Sequence, residues 1–236
     1  MTGLNAGRAD LHIHTTMSDG AGTPAQVARV LAHSRLAVAA ITDHDTVAGG
    51  LRVREALAGR GPEIVVGVEV STADGHVLAL FVDRDVPRGL SARATVELVH
   101  ERGGLAVAAH PYFPIHSVGD LAGRLPFDAI EVANGTPLGE LGNRRAARRL
   151  GPRARAVIGG SDAHLVAAVG HVQTLFPGRT AADLRRAIER GETWPVFDWE
   201  AHLRVFPAQL ARMAWRMLRR LEGSRAPEPE MEEPAA

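Results

Sequence analysis

The chain is 236 residues long, 45% hydrophobic and 23% charged, enough to bury a substantial core as one large domain or a barrel. Its 27 Lys+Arg balance 27 Asp+Glu, and a formal net charge of +0 gives no bulk attraction to nucleic acid or to a membrane surface. With 0 cysteines there are no disulfides and no thiolate ligands, so any metal must rest on nitrogen and oxygen donors.

The N-terminal residues contain no apolar leader-like run, and no stretch of about 18 apolar residues follows, so the sequence reads as cytoplasmic. Short apolar runs then alternate with amphipathic ones. Strands are predicted over 8–14, 37–42, 63–70, 76–82, 105–109, 127–133 and 155–160. Helices are predicted over 24–35, 47–60, 91–103, 138–150 and 180–190. Thr23 with Pro24 offers an N-cap followed by proline at the first helical position, Ser91 a second cap, and Thr180 with Asp183 a capping box that Gly191 closes at the far end. Alternating buried strands and helices predict a parallel sheet with helices outside it, open or closed into a barrel. Beyond residue 195 the alternation stops. Residues 200–222 read as a helix with an apolar stripe of Leu210, Met213, Met217 and Leu221, and with Arg212, Arg216, Arg219 and Arg220 alongside. From Arg225 onward prolines and glutamates predict a disordered tail. The expected division is a barrel over 8–198, a helical extension over 199–223 and a tail over 224–236.

Nine residues carry the chemistry: His12, His14, Asp19, His44, Glu69, His76, His110, Asp162 and His164. Imidazoles and carboxylates are the side chains that bind zinc, manganese and iron. In the segment DLHIHTTMSDG, His12 and His14 project from one face of a strand, and the Ser-Asp-Gly turn brings Asp19 beside them. TDHDT places His44 at a strand exit, where Asp43 and Asp45 either cap the next helix or hold an imidazole. Asp74-Gly75 is a turn that would return His76 to the neighbourhood of Glu69. His110 precedes Pro111, which favours an extended backbone there, and GGSDAH repeats the i, i+2 pairing with Asp162 and His164. Each cluster alone has an ordinary structural explanation. Their joint placement at strand ends, with Asn134, favours a β/α barrel whose C-terminal rim is the site. His33, His100 and His202 are assigned structural roles, and His116 and His171 lie near the site loops.

In their order, DLHIHTTMSDG, ITDHDT, GVEVS with GHVLALF, AAHPY and GGSDAH resemble the PHP (polymerase and histidinol phosphatase) family of metal-dependent phosphoesterases, over residues 10–164. The resemblance implies a distorted (β/α)7 TIM-like barrel holding two to three divalent ions of zinc, manganese or iron. It implies one ion on His12, His14, Glu69 and Asp162, a second bridged by Glu69 to His76 and His110, and a third on Asp19, His44 and His164. Asn134 matches a family position of open role, and Asp45 is a further candidate for ligand support or substrate contact. The family's small-nucleotide phosphatases commonly carry a helical insertion between the Glu/His and His-Pro motifs. Here only residues 83–104 separate them, which implies a more open site. The expected activity is hydrolysis of a nucleotide, oligonucleotide or other small phosphate ester by metal-activated hydroxide. The alternatives are a carboxyl ester, amide or carbamate hydrolase on the same ligands, or a non-catalytic module stabilised by its metals. Arg144, Arg145, Arg148 and Arg149 are expected on a solvated helix face.

Overall fold

A computed structural model describes residues 6–221. The tail expected from residue 224 lies outside the described residues. Among the described residues nine strands appear: β1 (Ala6–Asp10), β2 (Val38–Ile41), β3 (Glu63–Thr72), β4 (Gly75–Leu80), β5 (Leu105–Ala108), β6 (Ala129–Asn134), β7 (Val157–Gly160), β8 (Val172–Pro177) and β9 (Trp194–Phe197). Six α-helices accompany them: α1 (Pro24–Ala32), α2 (Ala48–Leu57), α3 (Ala92–Glu101), α4 (Glu140–Arg149), α5 (Ala181–Arg190) and α6 (Trp199–Leu221). The caps form as their residues dictate. Thr23 and Gln26 make a reciprocal capping box, as do Thr180 and Asp183, while Ser91 caps α3 and Gly191 ends α5 in the left-handed region at φ 72°.

All nine strands form one sheet in the order β7-β6-β5-β4-β3-β2-β1-β8-β9. β1/β2, β2/β3, β5/β6 and β6/β7 pair in parallel, whereas β4 runs antiparallel to both its neighbours, and β8 and β9 add antiparallel pairs beyond β1. The sheet curls into a nearly closed barrel. Past the strand ends, Ile13 bridges Ala163, with His14 N donating to Ala163 O at 3.0 Å and Ala163 N to His12 O at 3.2 Å. Lower down, the Thr174 hydroxyl accepts from Gly159 N at 2.9 Å and donates to Gly159 O at 2.8 Å. Gly160 permits this close approach, because a Cβ there would lie 2.6 Å from the His12 Cβ.

The barrel is the expected architecture with two strands more than the expected seven. β8 and β9 were not among the predicted strands, and β8 closes the wall through Val172, Thr174 and Phe176, whose alternation matches a one-sided strand. Pro195 sits in β9 at the end of the sheet order, the edge position where a missing N–H is tolerated.

One side-chain parity fills the interior: Ala9, Val38, Val65, Leu78, Leu80, Val107, Ala129, Ile158 and Phe176, closed from below by Leu184 and Ile188 of α5. The same parity continues to Glu69 on β3, His76 on β4 and Glu131 on β6. The barrel therefore changes from an apolar floor to an ionisable upper layer within a few residues of each strand.

α6 lies against the upper edge. Val205 is buried with Ile13, Leu165 and Val166, and His202, Gln209 and Arg212 are buried on the same face. The expected stripe holds only in part: Leu210 and Met213 are half-buried, but Met217 is 66% exposed. The helix turns Arg212 toward the barrel and Met217 toward solvent. Among the described residues no helix is long and apolar enough to cross a membrane.

Candidate metal centre

Each strand exit is held by its own backbone pairing. Ile13 lies between two neighbours: its O accepts from Thr42 N at 2.9 Å and its N donates to Thr42 Oγ1 at 3.3 Å. His12 and His14 flank it. Buried Asp10 ties this segment to β7 by accepting from Ser161 N at 2.9 Å, Ser161 Oγ at 2.6 Å and Gly170 N at 2.7 Å, and burial pushes its carboxyl up to about 6. The turn bearing Asp19 is braced by Asp43, which accepts from Thr15 N and Thr15 Oγ1 at 2.8 Å and from Ser18 Oγ at 2.6 Å. Asp43 thus serves neither as a helix cap nor as an imidazole partner. His44 bridges Glu69 across β2 and β3. The Asp74-Gly75 turn forms as expected and pairs His76 with Ser71, two residues from Glu69.

His110 departs from the extended backbone expected before proline. Its φ is 26°, and its N–H donates to Glu131 Oε2 at 2.8 Å, which turns the ring so that Nε2 reaches Glu69 Oε1 at 3.0 Å.

All nine residues meet around Glu69. Its Oε2 lies 3.1 Å from His12 Nε2, 3.2 Å from His14 Nε2 and 3.3 Å from His44 Nδ1. Its Oε1 lies 2.8 Å from His76 Nδ1 and 3.0 Å from His110 Nε2. Asp162 Oδ1 is 3.2 Å from His14 Nε2, 3.6 Å from His12 Nε2 and 3.4 Å from His164 Nδ1. Asp19 faces His164 Nε2 at 3.1 Å, His14 Nδ1 at 3.5 Å and His44 Nε2 at 3.7 Å. Three groups have the mutual spacing that suits an ion: His12, His14 and Glu69; His44, Glu69 and His76; and His14, Asp19, His44 and His164.

The donor chemistry fits divalent cations. His12 Nε2, both ring nitrogens of His14, Asp19 Oδ1, His44 Nδ1, His76 Nδ1 and Asp162 Oδ1 are buried with no hydrogen-bonding partner, although each lies close to others of the set. Buried polar atoms are normally paired, so such a converging group asks for a cation. The electrostatics agree. Burial opposes charge on His14, yet the Asp162 and Glu69 carboxylates outweigh it and raise the ring to about 10, and His12 is raised well above its ordinary range by Asp162, Glu69 and Glu131 against the same burial. Despite burial, Glu69, Asp162 and Asp19 are all held well below the usual carboxylate range by the surrounding rings. Burial lowers His44 to about 4, against the pull of Glu69.

A supporting layer surrounds the nine. Glu131, fully buried, places Oε1 3.1 Å from His12 Nδ1 and accepts at Oε2 from His110 N and, at 3.0 Å, from Asn134 Nδ2. Asn134 also donates to Asp162 Oδ2 at 3.1 Å, and Thr136 Oγ1 donates to the same oxygen at 2.6 Å. Asn134 therefore supports Asp162. Sequence reasoning missed Glu131, although a single Glu in the fully buried run Ala129–Asn134 was a signal for it. Asp45 stands apart from this cluster; its carboxylate accepts from Ser71 N at 2.8 Å. His116 stacks on His76 with ring centroids 5.0 Å apart. His171 packs instead against His202 at 5.1 Å, beneath the site loops. Arg144 pairs with Glu140 at 2.9 Å and Arg149 with Asp120 at 3.5 Å, on the exposed face expected for them. The unforeseen arginines come from α6. Arg216 Nη1 reaches Asp19 Oδ2 at 2.7 Å, and Arg212 Nη2 donates to Asp19 O at 2.7 Å.

A barrel rim carrying only nitrogen and oxygen donors is an arrangement that metal-dependent hydrolases use. A family model described as PHP-associated matches residues 140–193. The uncharacterised protein MJ1587 of Methanocaldococcus jannaschii is 39% identical over 139 residues, covering 54% of this chain and 81% of that protein. A phosphoribosyl 1,2-cyclic phosphate 1,2-diphosphodiesterase of Eggerthella lenta is 40% identical over 84 residues, 33% of this chain and 32% of that enzyme, so this chain spans about a third of its length. A two-domain protein of Bacteroides vulgatus, described as containing a predicted PHP-like metal-dependent phosphoesterase, superposes with a TM-score of 0.64 at 20% identity, over 81% of this chain and 65% of that one. The chain belongs to the PHP family of metal-dependent phosphoesterases.

Proposed function

We propose that this chain hydrolyses a phosphate ester (a nucleotide, an oligonucleotide or another small phosphate ester) with two to three divalent ions held by His12, His14, Asp19, His44, Glu69, His76, His110, Asp162 and His164. The observation that carries this reading is the set of buried, unpaired ring and carboxylate atoms converging on Glu69. When bound, divalent ions make water acidic enough to supply hydroxide near neutral pH and offset charge on the phosphoryl oxygens.

The protein's part is orientation. Glu69 offers one oxygen to His12, His14 and His44 and the other to His76 and His110, the arrangement expected of a bridging carboxylate. Asn134 and Thr136 occupy Asp162 Oδ2, which leaves Oδ1 directed at His12 and His14. Glu131 accepts at His12 Nδ1 and so keeps the Nε2 lone pair turned inward. The relative that cleaves a cyclic phosphodiester supports phosphate as the reacting group.

The test is a panel of phosphate monoesters, cyclic and linear phosphodiesters and carboxyl esters, assayed on protein of measured metal content. Phosphate-ester turnover lost to EDTA and restored by added metal is expected. Turnover confined to carboxyl esters would overturn the proposal.

A further inference from the structure

α6 has a second face besides the one on the barrel. Trp199, Leu203, Phe206, Leu210, Met213 and Met217 follow one another at alternating steps of four and three, the spacing of a coiled-coil seam. At about 3.6 residues per turn they line up as one stripe, roughly 100° around the helix from the buried His202, Gln209 and Arg212. Trp199, Leu203 and Met217 are 53%, 67% and 66% exposed, and Phe206, Leu210 and Met213 are half-buried. Scattered exposed apolar residues are common on any protein. Six in register along one helix form a continuous surface.

The stripe is complementary to a reversed copy of itself. A two-fold axis beside Ala208 sets Trp199 opposite Met217 of a second copy, Leu203 opposite its Met213 and Phe206 opposite its Leu210. Pro207 lies next to that axis, so the bend that a helical proline produces falls at the same place in both copies. Charge selects the direction. The N-terminal end carries Asp198 and Glu200 against Arg204, whereas residues 209–221 carry Arg212, Arg216, Arg219 and Arg220 and no acid. Parallel helices would lay these arginines side by side. Antiparallel helices bring the basic end of each copy to the acidic end of the other.

Other occupants fit less well. Residues 222–236 supply Met231 as their one large apolar side chain, too little to cover six. A lipid surface would call on basic residues along the polar face, yet Arg212 and Arg216 are turned to Asp19 at 2.7 Å each.

We propose that two copies of this chain associate through this stripe, with their α6 helices antiparallel. A helix of 23 residues is about 34 Å long, and specific interfaces begin near about 1,000 Å2 in total. One helix pair lies close to that lower limit, so the dimer is expected at micromolar concentration and dissociates on dilution.

The experiment is sedimentation velocity on the full chain from low to high micromolar concentration, with Leu203→Glu and Met217→Glu compared with wild type. Both side chains are largely exposed, so far-UV circular dichroism of the dilute variants should match wild type. The wild-type mass should rise from monomer to dimer, and each variant should weaken association about tenfold or more. Direction is read by oxidative cross-linking, since the chain has 0 cysteines of its own. Leu203→Cys and Met213→Cys should form a disulfide-linked pair when mixed, and neither should do so alone. A wild-type monomer at every concentration overturns the proposal, as does a dimer that both glutamate variants leave intact. Cross-linking of Leu203→Cys with itself overturns the antiparallel arrangement. A monomer that instead sediments with vesicles of phosphatidylcholine and phosphatidylglycerol, and loses this in Leu203→Glu, overturns it in favour of a lipid surface.

Discussion

Glu131→Gln is the most selective perturbation of this site, because it preserves shape and changes only which atoms can donate. One carboxylate oxygen faces His12 Nδ1 at 3.1 Å, and the other accepts from His110 N at 2.8 Å and Asn134 Nδ2 at 3.0 Å. A glutamine has one acceptor oxygen. Keeping it on the two N–H donors turns the amide NH2 toward His12 Nδ1 and forces that nitrogen to accept. The His12 proton then moves to Nε2, the atom that faces Glu69 and Asp162, and the ring can no longer offer its lone pair there. Loss of such a supporting contact costs 10–100-fold in metal affinity, or about 1.4–2.7 kcal/mol. Metal titration by calorimetry, with far-UV circular dichroism to confirm folding, measures it. A folded Glu131→Gln protein that binds metal with wild-type affinity would refute this account of Glu131.

Metal loading should release protons. Carboxylates raise His14 to about 10, so its ring is charged at neutral pH and an incoming ion must displace that proton. Calorimetry at pH 7 in buffers of different ionisation enthalpy should show at least one proton released per chain, with affinity rising as pH is raised, and zero release would contradict the pKa assignment. Acid should loosen the seating of α6. Burial lowers both His171 and His202, so below the unfolded value of 6.5 the unfolded chain binds protons that the folded one resists. Their contribution is complete above pH 6.5 and is lost as pH falls; His202→Phe, which keeps a ring against His171, should flatten the acid side of the melting curve, and an unchanged slope would exclude this origin. Gly49→Ala would set a Cβ 1.7 Å from Asp43 Oδ2 and 2.8 Å from Thr15 Oγ1, disturbing the brace behind Asp19. A loss of about 2–3 kcal/mol in urea unfolding is expected, and an unshifted midpoint would show that the brace yields freely.

The parts of the site legible in the sequence were those with restricted chemistry at a recognisable place. His12, His14, Glu69, Asp162 and His164 sit where apolar runs end, and few side chains bind divalent ions, so residue type and position agreed. The Asp74-Gly75 turn likewise foretold the return of His76. Glu131 was hidden because it lies inside an apolar run, and only the barrel's parity shows that it shares a layer with Glu69. Arg212 and Arg216 were visible as charges, but which face α6 lays on the barrel is a tertiary choice. The predicted stripe placed Met217 on the packed face, whereas Met217 is exposed and Arg212 is buried there. β8 and β9 escaped for local reasons: β8 is buried only at alternate residues, and Pro195 argues against a strand unless its edge position is known. The φ of 26° at His110 opposes the local preference before proline and is maintained by Glu131, a contact across strands.

The central claim is a catalytic cluster of divalent ions around Glu69. Its most direct test is the metal-to-chain ratio by plasma mass spectrometry, read against phosphate-ester turnover of the same samples as chelator and then metal are added. The account predicts two to three ions per chain, with turnover that falls and returns in step with them. Full phosphate-ester turnover by protein carrying almost no metal would contradict it.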